Sequence, residues 1–245
     1  NTRIEVDIES NFKKYGAIHR TDIFLDTAKL KTNNKRPVYL ITDEEKKWAE
    51  TWIESNIDKN RKFLIGIQMT SSSKRRSWPN EKSLLLSFLI TNCWKDASVL
   101  LFYEDVDENS ELRSYDNVYS LVGLPIRKVA SLMDKCEAMI TVDSGLLHLS
   151  GALKKKGLAL FGPTPEKARI KYYPEIQSIN LNYPCSPCWD KYCNNEISCL
   201  RNIEVNYVFD RLSTLLGRSK IIAGKNILII RMGGIGDLIM LTPSI

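Results

Sequence analysis

The sequence predicts a doubly wound α/β domain with a parallel sheet, and three observations carry that prediction. Short apolar runs of strand length alternate with helix-patterned segments from about Lys62 onward. The stretch Ala138–Pro165 reads as strand, tight turn, helix, strand, which is a βαβ unit. The chain of 245 residues is 43% apolar and 26% charged, so it can bury a sizeable core.

Residues 1–60 are polar and largely helical in pattern, with a break near Arg36-Pro37. Thr42 followed by Glu45 forms a capping-box signature, so a helix is expected to start there and to run to about Ser55. Phe63–Met69 reads as a buried strand, followed by the polar run Ser71–Ser73 and the basic run Lys74–Arg76. Trp78-Pro79 opens a helix to about Cys93, because proline suits the first helical turn. Ser98–Tyr103 is a second strand, Asn117–Leu121 a short third one, and Pro125–Cys136 an amphipathic helix. The fourth strand is expected at 138–142, a small-residue helix at 144–153, and a fifth strand at 157–161 ending in Gly-Pro-Thr. Val205–Leu216 closes the domain as a helix stopped by Gly217. We therefore expect three parts: 1–60 with linker helices, 61–217 as the α/β domain, and 225–245 as the start of a further unit. In the last part the strand Lys225–Arg231 runs into Met232-Gly-Gly-Ile-Gly-Asp237. Asn1 is not a Met and Ile245 directly follows an apolar segment, so both ends read as cut.

The turn at Asp143-Ser-Gly145 is the first functional candidate. It falls at the carboxyl end of a strand and the amino end of a helix, where free N–H groups and the helix dipole favour an anion such as a diphosphate. Asp143, Ser144 and His148 add hydrogen-bonding side chains; Asp143 or Ser144 can equally be a plain helix cap. The net charge of +6 suits phosphorylated ligands or an anionic surface without establishing either. The basic clusters Lys74–Arg76 and Lys154–Lys156 are not interleaved with aromatics, which speaks against a nucleic-acid platform. No apolar run reaches the roughly 18 residues of a membrane span, and no signal peptide is expected. Cys93 and Cys136 read as reduced core thiols, consistent with a cytoplasmic protein. Cys185, Cys188, Cys193 and Cys199 lie close together. Four thiolates can close a zinc or iron–sulfur site, but this spacing lacks the two separated C-x2-C knuckles, so structural thiols are the alternative.

Taken together the motifs resemble the heptosyltransferase family, the ADP-heptose:lipopolysaccharide glycosyltransferases of glycosyltransferase family 9. Its members pair two Rossmann-like domains in the GT-B arrangement. The resemblance is carried by His19-Arg-Thr-Asp22, Phe63–Met69, Ser71–Pro79, Asp143-Ser-Gly-Leu-Leu-His148, Phe161-Gly-Pro-Thr164 and the cysteine-rich loop 185–199. These match the donor-binding half, which makes 1–60 the end of a preceding acceptor domain with its linker helices and 225–245 the first strand-turn-helix of a following glycosyltransferase unit. Ile227–Pro243 is similar to the motif that opens the family's acceptor half, which makes a tandem arrangement the simpler account than a circular permutant.

The resemblance implies an inverting transfer of heptose or a related sugar from a nucleotide-diphosphate donor, ADP-heptose by the family pattern, to a lipopolysaccharide-type acceptor. No cofactor is implied as required. It also implies a cytoplasmic enzyme with peripheral contact at the inner membrane. Arg76 matches a phosphate-contacting lysine, and Ser71 and Ser72 match small hydroxyl residues near phosphate. Glu104 matches the carboxylate that holds the ribose, and Leu124 packs near the base. Asp143 is expected to grip sugar hydroxyls, with Ser144, Gly145 and Leu146 at the backbone donors and His148 one turn into the helix. His19 can equally be a surface residue of a linker helix. Asp237 matches the family's general base, and Gly233, Gly234 and Gly236 permit the tight turn beside it; these belong to the following unit. Arg76 in place of Lys, together with Val142 and Leu147, departs from the commonest family choices and leaves the donor open. A non-catalytic nucleotide-sugar-binding module and a metal-stabilised interaction domain are the competing readings.

Overall fold

A computed structural model of the chain describes residues 18–104, 115–188 and 199–219. Six parallel strands form one sheet: β1 (Phe63–Gln68), β2 (Ala97–Tyr103), β3 (Val118–Val122), β4 (Ala138–Val142), β5 (Lys156–Phe161) and β6 (Ile176–Asn180). Their spatial order is β3-β2-β1-β4-β5-β6, the doubly wound order in which the chain builds outward from β1 and then returns to build from β4 on its other side.

The helices are α1 (Arg20–Thr27), α2 (Asp43–Asn56), α3 (Asn80–Cys93), α4 (Ile126–Lys135), α5 (Gly145–Ala152), the single turn α6 (Lys167–Ile170) and α7 (Val205–Leu216). Strand alternation divides the core between the two faces of the sheet. Ile65, Ile67, Val99 and Leu101 pack with Leu86 and Ile90 of α3 and with Val208 and Leu212 of α7. Leu64, Leu100 and Phe102 pack on the opposite face with Ala49 of α2 and with Leu132 and Met133 of α4. A smaller cluster of Leu147, Ala159, Phe161, Tyr173 and Ile176 fills the β5–β6 side.

Local chemistry sets the element ends. Thr42 Oγ1 accepts from the Glu45 N–H (3.3 Å) while the Glu45 carboxylate accepts from the Thr42 N–H (2.8 Å), so the expected capping box is formed. Pro79 sits at the N-cap of α3. Gly217 ends α7 with φ of 63°, in the left-handed region that favours glycine. The sequence pattern marks neither β6 nor α6. β6 reads Ile-Gln-Ser-Ile-Asn with only Ile176 and Ile179 buried, the half-buried pattern of an edge strand, and α6 is too short to show a helical period.

Candidate functional site

The order of strands creates a crevice. At their carboxyl ends the loops after β1 and β4 lead to opposite faces, and a cleft of about 700 Å³ lies there. Ser71, Ser72, Arg76, Glu104, Asp143, Ser144, Gly145, Leu146 and His148, the residues singled out for donor binding from sequence, all line this one cleft. Leu124 lines it as well. Sequence reading gave no site role to Arg20 and Gln68, which it noted only within motifs, nor to Thr70, Phe102, Tyr103, Ile126, Val129 or Arg169, and all of these line it too. The wall contributed by Phe102, Leu124, Ile126 and Val129 is apolar, whereas Arg76 and Arg169 bring positive charge.

The loop after β1 is shaped by its own bonds. The Trp78 N–H donates to the Met69 carbonyl (2.9 Å), closing the loop at its neck. The Trp78 ring is 2% exposed, and its Nε1–H donates to the Ile203 carbonyl (3.1 Å), which pins the neck to the segment before α7. The Ser71 N–H donates to Ser77 Oγ (2.9 Å) across the loop. Arg76 then extends from a short 3-10 turn, Lys74–Arg76. Its guanidinium donates to Ser72 Oγ (3.0 Å), the Asp143 carbonyl oxygen (3.2 Å) and Asp143 Oδ2 (3.5 Å). The last two are long for charge-assisted bonds, so the group can turn toward another anion at modest cost.

Across the crevice, Ser144 occupies the N-cap position of α5 but makes no capping bond. Its hydroxyl instead donates to Gln68 Oε1 (2.6 Å), tying the end of β4 to the end of β1. The first N–H groups of α5 therefore carry no side-chain acceptor from their N-cap residue, and they adjoin the cleft.

Asp143 is 4% exposed, and both of its carboxylate oxygens are engaged. Oδ1 accepts from Arg169 Nε (3.0 Å) and Oδ2 from the Thr164 hydroxyl (2.8 Å), besides the longer contact from Arg76. Burial pushes the carboxyl up, but the charges of Arg169 and Arg76 and the Thr164 hydrogen bond outweigh it, and its pKa lies below the ordinary value. The carboxylate is thus turned toward protein partners, where sequence reading expected it to face sugar hydroxyls.

His148 Nδ1 lies 3.0 Å from the Tyr173 hydroxyl, and burial pushes its pKa down to about 4, so the ring is neutral near pH 7. His19 departs from the surface alternative: it is 3% exposed and caps α1. Its Nδ1 accepts from the Thr21 N–H (3.1 Å) and its Nε2 sits 3.1 Å from the Arg169 carbonyl, a pair of contacts met by the neutral tautomer with the proton on Nε2. Burial lowers its pKa accordingly.

Asp237, with Gly233, Gly234 and Gly236, lies outside the described residues, as does Cys193. Of its companions, Cys185 is exposed, and Cys188 is half-buried with its sulfur 2.8 Å from an Arg75 guanidinium nitrogen. Cys199 is seated against Gly162, where a built Cβ would lie 2.3 Å from its sulfur. Among the described residues no group of three or more His, Cys, Asp or Glu is arranged to hold a metal ion.

Comparison with known proteins identifies the family. The profile of glycosyltransferase family 9 (heptosyltransferase) matches residues 17–198. Over 86 residues the chain is 33% identical to lipooligosaccharide heptosyltransferase 2 of Campylobacter jejuni, a match covering 34% of this chain and 27% of that protein. Its fold is similar to the crystal structure of the glycosyl transferase family 9 from Veillonella parvula, with a TM-score of 0.65 at 18% identity over 89% of this chain and 63% of that one. It is also similar to the structure of Escherichia coli ADP-heptose lps heptosyltransferase II, with a TM-score of 0.58 at 20% identity, covering 74% and 53% of the two chains. The chain thus spans about half the length of the latter structure and aligns with about a quarter of the Campylobacter relative.

Proposed function

The chain belongs to glycosyltransferase family 9, and from that premise we propose that residues 61–217, together with α1 and α2, which the structure packs onto them, form the donor-binding half of an inverting GT-B sugar transferase. The observation that carries this reading is the convergence of Ser71, Arg76, Glu104 and the Asp143–His148 turn on one cleft at the topological switch point. The donor is a nucleoside-diphosphate sugar, ADP-heptose or a close relative, and the acceptor is a lipopolysaccharide-type glycan.

In this reading the nucleobase lies on the apolar wall of Phe102, Leu124, Ile126 and Val129. Glu104, exposed just past β2, accepts from the ribose hydroxyls. The diphosphate meets Arg76, the hydroxyls of Ser71 and Ser72, and the N–H groups of Ser144, Gly145 and Leu146 at the start of α5. Neutral His148 offers a hydrogen bond to a sugar hydroxyl. The acceptor hydroxyl oxygen attacks the anomeric carbon from the face opposite the diphosphate. As that bond forms, the bond from the anomeric carbon to the diphosphate oxygen breaks, the configuration inverts, and a base takes the hydroxyl proton. Arg76 and the helix start hold the negative charge that builds on the departing diphosphate, so no metal is required for that step. The base comes from outside this domain; Asp237 matches the family motif for it and serves the following unit.

No helix among the described residues is long and apolar enough to cross a membrane. We place the protein in the cytoplasm, reaching its glycan at the inner-membrane face by peripheral contact. Calorimetric titration of the chain with ADP-, UDP- and GDP-sugars, paired with a transfer assay on the full-length protein, tests the reading. Binding of ADP-heptose with turnover supports it; binding without turnover points to a non-catalytic module; no binding of any nucleotide sugar refutes it.

A further inference from the structure

Arg169 is a buried guanidinium, 4% exposed, on a helix of one turn that follows the Gly162-Pro-Thr164 corner. A buried ion pair adds little stability over well-packed apolar side chains, so its presence points to orientation. Its bonds form a chain. The His19 ring contacts the Arg169 carbonyl (3.1 Å), Arg169 Nε donates to Asp143 Oδ1 (3.0 Å), and Asp143 receives Arg76 at both its carbonyl and its carboxylate. The chain runs from the start of α1, through α6, to the cation beside the cleft. Asp143 would be free to rotate about its side chain if only the 3.5 Å contact from Arg76 held it; Arg169 and Thr164 remove that freedom from opposite oxygens.

We infer that Arg169 is a positioning residue for the phosphate end of the cleft: it fixes Asp143, and Asp143 fixes Arg76. This rests on the donor-cleft reading above. Arg169 borders the cleft but is 4% exposed with its Nε committed to Asp143, so its effect on the phosphates runs through the other two residues, and the base and ribose contacts lie elsewhere in the cleft. Its loss should therefore weaken ligands that carry a diphosphate and leave those without one unaffected.

The test measures ADP by calorimetry and adenosine by ligand-observed NMR on the 245-residue chain, with thermal melts to confirm folding. R169Q should bind ADP about ten-fold more weakly, the equivalent of one charge-assisted hydrogen bond, with adenosine unchanged. R169K, which keeps the charge without the planar fork, should recover part of the loss. D143N should weaken ADP similarly, and R169Q/D143N should bind no more weakly than D143N, since residues acting in series do not add. R169Q that binds ADP like the native chain, or that loses ADP and adenosine equally, overturns the role assigned to Arg169. So does a double variant whose effects add. If R169Q does not fold because it strands the Asp143 carboxylate, R169K, which keeps a cation beside that carboxylate, carries the test: it should weaken ADP with adenosine unchanged, and ADP binding equal to that of the native chain overturns the role. A native chain that binds no ADP refutes the donor-cleft reading itself, which is a separate result.

Discussion

Substituting Asp143 by Asn changes the charge at the centre of the site while keeping its shape. Asp143 and Arg169 are each 4% exposed and bonded at 3.0 Å, so neither has water to fall back on. Removing one member of a buried ion pair costs about 3–5 kcal/mol, because the remaining charge stays buried and unpaired. The Asn oxygen can still accept one bond from Arg169 or Thr164, which puts the expected loss at the lower end, about 3 kcal/mol. A domain of this size shifts its melting temperature by about 2–4 °C per kcal/mol, so D143N should melt about 6–12 °C below the native chain at pH 7. Far-UV circular dichroism reads this directly.

The pH dependence supplies an internal check. Asp143 has a folded pKa below its unfolded one, because Arg169, Thr164 and Arg76 together outweigh the opposing effect of burial. Its stabilisation is therefore fully present above the ordinary carboxylate range and is lost as the pH falls through the lower folded value. The gap between native and D143N should hold from pH 7 to about pH 5 and close in stronger acid. A gap at pH 7 of less than about 2 °C, or one that widens in acid, would refute the view that this carboxylate is held by a buried arginine.

Other consequences can be checked independently. Burial holds the His148 pKa down at about 4 against a reference of 6.5, so the folded ring stays neutral where the unfolded one takes up a proton. Stability should then fall as the pH drops from 6.5 toward 4, H148Q should flatten that slope, and the imidazole proton shifts in NMR should report a neutral ring at pH 5. Gly151 faces the Tyr173 ring so closely that an added Cβ would lie 2.5 Å from it. G151A should therefore displace Tyr173, cost about 1–3 kcal/mol in chemical denaturation, and disturb the Tyr173 bond to His148. Glu104 is exposed at the cleft, so E104A should leave the melting temperature unchanged and weaken ADP about ten-fold in calorimetry, while AMP lacking its ribose hydroxyls should be indifferent to the change.

Much of the fold was legible because its signals are local. Phe63–Gln68 and Ala138–Val142 are near-continuous apolar runs, broken only by Gln68 and Thr141, as expected of strands buried on both faces. Thr42 and Glu45 are a reciprocal cap separated by one turn, and Gly217 is a stop signal in its own right. β6 left no clear pattern because its two buried residues, Ile176 and Ile179, stand three apart, which is neither strand alternation nor a continuous apolar run. The cleft residues came from two sources: Asp143 from the strand-to-helix turn itself, and Ser71 and Glu104 from the resemblance to the heptosyltransferase family; all three follow strand ends, which is where a doubly wound sheet gathers ligand-facing residues.

The sequence by itself determined the layered α/β architecture and the Asp143 turn, since both follow from hydrophobic periodicity and turn chemistry within a few residues, while the other cleft segments were marked by motif resemblance. Only the tertiary structure decided which charges meet. Arg169, set in Glu-Lys-Ala-Arg-Ile-Lys, reads as one more solvated basic residue. It is buried because the chain between β5 and β6 brings it back to Asp143, 26 positions earlier, and to His19, 150 positions earlier. Pairing at that range depends on how the folded chain returns on itself, and that return leaves no periodic trace in the sequence.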